Sequence, residues 1–234
     1  MSWTSVAILS AVTFGIVTTI DSHLISKRMP SLRAFLLPLS VIQLFYGLLS
    51  FYLFPFPEVI GLWPLLVAFG SGITRIAGAT IMLYYMIKEE ISRIVPVAYT
   101  YPVFVALMAV PLLGENITYL QWLAIVIVVA GAVIVSFKQS PFGSAVWSGR
   151  SFLALLGSGL LLAMADIASK YALAYFSFWN MFSVNAFCIF GIFFLASLRP
   201  HILRQLRDMA HRNQSLGLMA LNETLAPIAI TMSY

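Results

Sequence analysis

The feature that most constrains this chain is a pair of long apolar runs separated by a short polar turn. The runs cover residues 94–113 and 119–137, and the turn between them reads Gly-Glu-Asn-Ile-Thr. Each run has about the 20 residues that an α-helix needs to cross the hydrocarbon core of a bilayer. Because so short a turn can only reverse the direction of the chain, the stretch predicts an antiparallel helical hairpin inside a membrane.

The composition places the whole chain in the same class. Hydrophobic residues make up 61% of it and charged residues only 9%, whereas a soluble domain carries about 25% charged residues. We therefore expect an integral membrane protein whose surrounding partner is the lipid bilayer. The formal charge of +5 then reports which loops face the cytoplasm, and we expect no nucleic-acid partner.

Eight apolar runs are separated by short polar breaks along the chain. They are too long and continuous for lipid-facing strands, which alternate over about 10 residues. The prediction is an all-α fold, a polytopic membrane helix bundle with about eight transmembrane helices. The runs are 6–25, 32–54, 61–87, 94–113, 119–137, 151–172, 178–198 and 216–234.

A break rich in proline, glycine and serine divides these runs into five and three. The first series opens AILSAVTFGIVTTIDSHLISK and the second FLALLGSGLLLAMADIASKYA, so each has an Asp and a Ser-Lys near its end. This echo predicts a duplicated unit, as in many transporters. The predicted organisation is a five-helix repeat at 1–138, a loop at 139–150 and an incomplete three-helix repeat at 151–234. On that plan two further helices would follow Tyr234, and the alternative is a genuine eight-helix protein.

Basic residues concentrate in every second loop. The loops after the first, third, fifth and seventh runs carry three, two, two and four of them, while the N-terminus and the loops after the second and fourth runs carry none. The positive-inside rule then predicts cytoplasmic odd-numbered loops and an N-terminus on the outer side.

The central hairpin resembles the end of an EamA-type repeat of the drug/metabolite transporter superfamily. Such repeats close with a proline-bearing helix, a Leu-Gly-Glu turn, a Thr, a Gln-Trp pair and a late Ala-Gly. The corresponding residues here are Pro102, Leu113, Gly114, Glu115, Thr118, Gln121, Trp122, Ala130 and Gly131. The resemblance implies a secondary transporter in a bacterial cytoplasmic membrane that exports small organic metabolites, amino acids or related compounds, by alternating access.

Two features depart from the family pattern. Its members usually have ten helices, and this chain reaches the eighth. They are also usually drawn with both ends in the cytoplasm and a basic loop after the second helix, where residues 55–58 have no basic residue here. We follow the loop charges for the orientation.

Two charges at membrane depth are the first candidates for a substrate site, because an ionisable group there is costly without a partner. Arg75 lies in the third run among small residues, and Glu223 follows Asn222 in the eighth. An arginine can bind a carboxylate through two hydrogen bonds, although a structural pair with a buried acid is an equal alternative. We hypothesise that Arg75 and Glu223 either pair or jointly bind a zwitterionic metabolite, with Asn222 beside them.

Other candidates have a clear structural alternative. Tyr84 and Tyr99 could line a cavity, but aromatic residues near helix ends commonly anchor at the interface. Asp21 and Asp166 join Glu223 as candidate ion-coupling acids. Asp21 could equally be a solvated interface residue, and Asp166 could pair with Lys170 four residues on.

Several classes of function lack their motifs. The sequence has no GxxxxGK[ST], HExxH or GxSxG, so neither an ATP-driven pump nor a common hydrolase is signalled. With one cysteine and three scattered histidines, we expect no metal, no cofactor and no catalytic residues. An intramembrane enzyme and a non-transporting receptor or assembly partner remain as alternatives, and the oligomeric state is not indicated.

Overall fold

The computed structural model describes residues 3–57, 60–88, 94, 97, 100–114, 116–138, 149–209 and 211–231. The regular elements within these ranges are all helices. They are α1 (Trp3–His23), α2 (Leu32–Leu53), α3 (Leu62–Lys88), α4 (Tyr101–Leu113), α5 (Tyr119–Lys138), α6 (Gly149–Ala172), α7 (Phe178–Ile189), α8 (Pro200–Arg207) and α9 (Arg212–Thr231). A π-helical turn, Leu24–Arg28, extends α1, and another, Phe190–Phe194, extends α7 into a last α-helical turn, Leu195–Ser197.

The prediction of a polytopic helical membrane bundle is confirmed. Five helical spans among the described residues are long and apolar enough to cross a bilayer, and α4 and the first part of α5 are shorter apolar helices. The helix α9 is not among the five because Gln214, Asn222 and Glu223 lower its hydropathy. A total of about eight spans therefore stays a prediction. The five are Ile8–Arg28, Leu32–Leu53, Leu62–Lys88, Arg150–Ala172 and Phe178–Ser197.

The turn of the central hairpin has the local features that end one helix and begin the next. Gly114 has φ +67° and its N–H bonds to the carbonyl of Ala109, which is the left-handed cap that glycine favours. At the start of α5 the Gln121 side chain accepts a hydrogen bond of 2.8 Å from the Thr118 N–H, as in a capping box. Both helices are thus terminated by local sequence, and Glu115 lies outside the described residues.

Contacts divide the chain into two compact units, Met1–Pro55 with Phe178–Tyr234, and Phe56–Ser177. The first unit contains α1, α2, α7, α8 and α9, and the second contains α3, α4, α5 and α6. Each unit takes helices from both sides of the predicted repeat boundary. The duplication itself, a statement about sequence, stays a prediction.

In the first unit, the second half of α2 turns small and polar residues inward and apolar residues outward. Ser40, Gln43, Gly47 and Ser50, spaced three, four and three apart, are all buried, while Phe45 is 63% exposed. This pattern suits a helix that meets other helices on one side and lipid on the other. The close approach of α2 to α7 depends on Gly47, where an added Cβ would lie 2.7 Å from the Ala186 Cβ.

In the second unit, α3 packs along α6, and α4 also packs on α6. The two helices approach closely at Gly78, where an added Cβ would lie 3.0 Å from the Ser158 carbonyl oxygen. The buried Ser158 hydroxyl also donates a hydrogen bond of 2.7 Å to the Gly78 carbonyl. A small residue and a cross-helix hydrogen bond together fix these two helices side by side.

Candidate functional site

The first unit brings two acids and two amides together from three helices. Asp21 comes from α1, Gln43 from α2, and Asn222 and Glu223 from α9. The Asn222 amide donates a hydrogen bond of 2.8 Å to the Asp21 carboxylate, and the Gln43 amide donates one to the Glu223 carboxylate. We call these four residues the carboxyl–amide cluster.

The position of α9 explains why two adjacent residues reach different partners. This helix packs against both α1 and α2. Successive residues of an α-helix point about 100° apart, so Asn222 can face Asp21 on α1 while Glu223 faces Gln43 on α2. Pro227 lies four residues after Glu223 and has no N–H, so the Glu223 carbonyl lacks its ordinary helical donor. The backbone is therefore locally more polar than in a regular helix.

The carboxyl–amide cluster is buried and has no cation among its described partners. Glu223 is 5% exposed, Gln43 8% and Asn222 fully covered, while Asp21 is half-buried. The two carboxyl groups are linked through α9, because Asn222, which donates to Asp21, is the neighbour of Glu223 in the chain. Within the described residues, neither acid takes part in a salt bridge, and the hydrogen bonds to both come from neutral amides. Ionising an acid in such surroundings costs free energy, because no described cation balances its charge.

One atom of the cluster has unused hydrogen-bonding capacity. The Asn222 side-chain oxygen is buried and has no hydrogen-bond partner among the described residues. Beside it on α9, the Thr224 hydroxyl lies 2.6 Å from the Tyr46 hydroxyl of α2, at an exposed position. The cluster thus offers carboxylates and a free amide oxygen, all of which accept hydrogen bonds from an ammonium group or a hydroxyl.

The second unit holds an ion pair between Arg75 of α3 and Asp166 of α6. The Arg75 Nη2 lies 2.7 Å from the Asp166 carboxylate and 3.4 Å from the Ser169 hydroxyl. The two charged side chains are 33% and 29% exposed. The Arg75 Nε is buried and has no hydrogen-bond partner within the described ranges. Thus Asp166 has a cross-helix partner, and Arg75 is paired with a partly exposed acid. A role of Arg75 in substrate binding stays a prediction.

Arg75 and Glu223 each have a partner within their own compact unit. Arg75 pairs with Asp166 and Glu223 accepts from Gln43. Arg75 thus has an acidic partner other than Glu223, whereas the described partner of Glu223 is a neutral amide. Their joint binding of a zwitterion stays a prediction.

Among the described residues, the predicted aromatic candidate Tyr84 is not one of the hydrogen-bonded or ion-paired residues of either polar group. Tyr84 is 43% exposed, and the Lys88 ammonium group lies 4.4 Å from the centre of its ring. A tyrosine beside a lysine at the end of a helix fits the role of an interface anchor. Tyr99 lies outside the described residues.

Sequence reasoning missed Gln43 and Ser169. For Gln43 a signal was available, since it is the one amide in the run 32–54 and shares a helical face with Ser40, Gly47 and Ser50. Ser169 is one of many serines in apolar runs and has no such signal. Within the described part of the chain, no group of three or more His, Cys, Asp or Glu could hold a metal ion.

Comparison with known proteins identifies the protein family of this chain. No curated protein and no solved structure matches the chain. The family model described as EamA-like transporter family matches residues 1–137, which include Asp21, Gln43 and Arg75 and more than half of the chain. By this match the chain belongs to the EamA-like transporter family.

Proposed function

We propose that this protein is a secondary transporter that exports small organic metabolites, amino acids or related compounds, across the bacterial cytoplasmic membrane by alternating access. Membership of a transporter family supports the general class. The observation that supports the proposed mechanism and substrates is the buried carboxyl–amide cluster, in which Asp21 and Glu223 accept hydrogen bonds from neutral amides.

Such a cluster suits coupling to a proton gradient. A carboxyl group in a membrane helix is costly when ionised and without a cation, and cheaper when it holds a proton. Amide partners can accommodate both states, because an amide carries a donor and an acceptor. We propose that Glu223 takes up a proton when the cluster opens to one side and releases it on the other, with Asp21 as the second acid.

The cluster also has the chemistry to bind the ammonium group of an amino acid or amine. Ionised Glu223 or Asp21 would supply the opposite charge, and the free Asn222 oxygen would accept a further hydrogen bond. A proton and an ammonium group would compete for the same carboxylate. Export of the substrate would therefore be exchanged for entry of a proton.

The role proposed for Arg75 is recognition of a substrate carboxylate. About a third of its side chain is exposed, and a charge at membrane depth does not face hydrocarbon without great cost. Its uncovered part therefore needs water or a polar ligand. Asp166 would hold the guanidinium in place and balance its charge when no substrate is bound.

The test is gradient-driven flux in proteoliposomes that contain the full chain. Vesicles would be loaded with a panel of radiolabelled amino acids and amines, and an inward or outward pH gradient would be imposed. We expect Glu223→Gln to lower gradient-driven flux at least tenfold, because the variant can neither carry the proton nor supply the opposite charge for an ammonium group. Asp21→Asn should weaken the dependence on the gradient.

Asp208→Asn is the matched control, because it also neutralises one acid but at a side chain that is 70% exposed. Wild-type gradient-driven flux in both Glu223→Gln and Asp21→Asn would overturn the proton-coupling proposal. An absence of flux for the whole panel, with folded protein in the vesicles, would favour the receptor or enzyme alternatives.

A further inference from the structure

The short helix α8 is fixed to the first unit by one of its faces. Ile202 is 2% exposed and packs with Ala34 and Leu37 of α2, and Leu206 packs against the same apolar cluster. The Gln205 side chain also accepts a hydrogen bond of 3.1 Å from the Ser31 hydroxyl, which lies at the start of α2. The helix is therefore held in place, and its other faces have defined positions.

Those other faces combine basic and apolar exposure. Arg204 and Arg207 are exposed, and Leu203, on the flank between them and the buried face, is 49% exposed. The preceding end of α7 also exposes leucine, with Leu195 at 76% and Leu198 at 46%. A helix with arginines on one side and exposed apolar residues beside them is typical of the border between lipid headgroups and acyl chains.

A shallow basic cavity, open over most of its surface, lies where α8 passes into α9. Its volume is about 410 Å³, which is large enough for a small polar ligand, and its lining residues are Arg207, Met209, His211, Arg212, Asn213 and Gln214. Guanidinium, imidazole and amide groups can all donate hydrogen bonds to phosphate oxygens.

The acid next to the cavity does not neutralise it. The Asp208 carboxylate lies 3.5 Å from the Arg207 Nε, but the two side chains are 70% and 82% exposed. Exposed ion pairs of this kind contribute little stabilising free energy, because water screens the two charges. Within Arg199–Arg212 the four arginines outnumber this single acid, so the cavity attracts anions.

We propose that this cavity binds the phosphate headgroup of an anionic phospholipid, with the exposed leucines of α7 and α8 beside its acyl chains. The neighbouring apolar surface is the reason to assign a lipid rather than a free phosphate. The loop charges predict the cytoplasmic side for this segment, where basic clusters next to a membrane helix commonly bind acidic lipids. This site is independent of the carboxyl–amide cluster and of what the protein transports.

Binding of phosphatidylglycerol to the purified full chain would test the proposal. The protein would be placed in nanodiscs of phosphatidylcholine with increasing phosphatidylglycerol, and bound lipid would be measured by native mass spectrometry together with the thermal midpoint. Each basic residue near an anionic surface contributes about fivefold in binding. We therefore expect the double variant Arg207→Gln with Arg212→Gln to bind phosphatidylglycerol about 25-fold more weakly.

Two further variants make the result specific. Arg150→Gln removes an exposed arginine at the start of α6 and should leave binding unchanged. Arg207→Lys with Arg212→Lys keeps the charge and should retain most of the affinity. Since these side chains are exposed, the variants should keep their fold, which the thermal midpoint in phosphatidylcholine alone would verify.

Three results would overturn the proposal. The first is unchanged phosphatidylglycerol binding in the Arg207→Gln, Arg212→Gln variant. The second is an equal loss in Arg150→Gln, which would mean a general effect of surface charge. The third is that inorganic phosphate at millimolar concentration raises the thermal midpoint as much as phosphatidylglycerol does, since the site would then bind a free anion.

Discussion

The ion pair between Arg75 and Asp166 can be tested by removing each charge and then both. The variants are Arg75→Gln, Asp166→Asn and the double substitution, which removes both charges while keeping similar side-chain volumes. In each single variant one ion at membrane depth loses its partner. In the double variant neither charge remains, so we expect it to be more stable than the sum of the single effects predicts.

The geometry sets the size of this coupling. Two charges about 4 Å apart attract by about 4 kcal/mol at an effective dielectric constant of 20. The side chains are 33% and 29% exposed, and fully exposed pairs are worth only about 0.2–1 kcal/mol because of solvent screening. A partly covered pair should fall between these limits, so we expect a coupling free energy of about 2 kcal/mol.

Thermal unfolding of the four proteins in one detergent provides the measurement. For a chain of this size, 1 kcal/mol corresponds to a shift of about 2–4 °C in the midpoint. The double variant should thus unfold about 4–8 °C above the temperature that additive single effects would give. Additivity within about 1 °C would refute the argument that this pair stabilises α3 against α6.

A charge-reversed pair separates stability from substrate recognition. Arg75→Asp with Asp166→Arg keeps the two opposite charges in contact across the same helices. If Arg75 also binds a substrate carboxylate, this variant should recover much of the stability and still fail to transport. Recovery of both properties would leave Arg75 with a structural role alone.

Two further predictions concern the points where helices approach most closely. Gly47→Val should destabilise the protein by about 1–3 kcal/mol, because even the Cβ of the new side chain would lie 2.7 Å from the Ala186 Cβ. The control is Gly15→Ala, where an added Cβ would have nothing within 4 Å. Equal thermal midpoints for the two variants would contradict the packing argument. Ser158→Ala removes the buried hydrogen bond to the Gly78 carbonyl and should cost about 1 kcal/mol, measured as a lower thermal midpoint, whereas an unchanged midpoint would show that this bond adds nothing.

Helix positions were predictable because apolar length and turn chemistry fix them locally. The run predicted at 32–54 is the helix Leu32–Leu53, and the run at 61–87 is Leu62–Lys88. The glycine that ends α4 is visible in the sequence as well. The helix α8 was not predicted, since Pro200–Arg207 reads as a basic loop until the burial of Ile202 and the packing of Leu206 against its cluster are known.

The partners of the buried charges were much harder to predict. Arg75 and Asp166 are 91 residues apart, and Gln43 and Glu223 are 180 apart. A single sequence is enough to predict that such groups need partners, because unpaired ions in a membrane are costly. It is not enough to predict which helices are neighbours. For the same reason the sequence identified Asp21, Asn222 and Glu223 separately, and their meeting in one cluster depends on the packing of α9 against α1.

The contact between Gly78 and Ser158 limits how this protein can move. Sliding α3 along α6 by one helical turn would displace the two residues by about 5.4 Å, and the missing side chain at Gly78 would no longer lie opposite the Ser158 backbone. An intermediate slip would break a buried hydrogen bond and push Leu162 against a larger residue. The two helices should therefore move as one rigid pair, so any conformational change in the second unit has to bend or rotate the chain outside the α3–α6 contact.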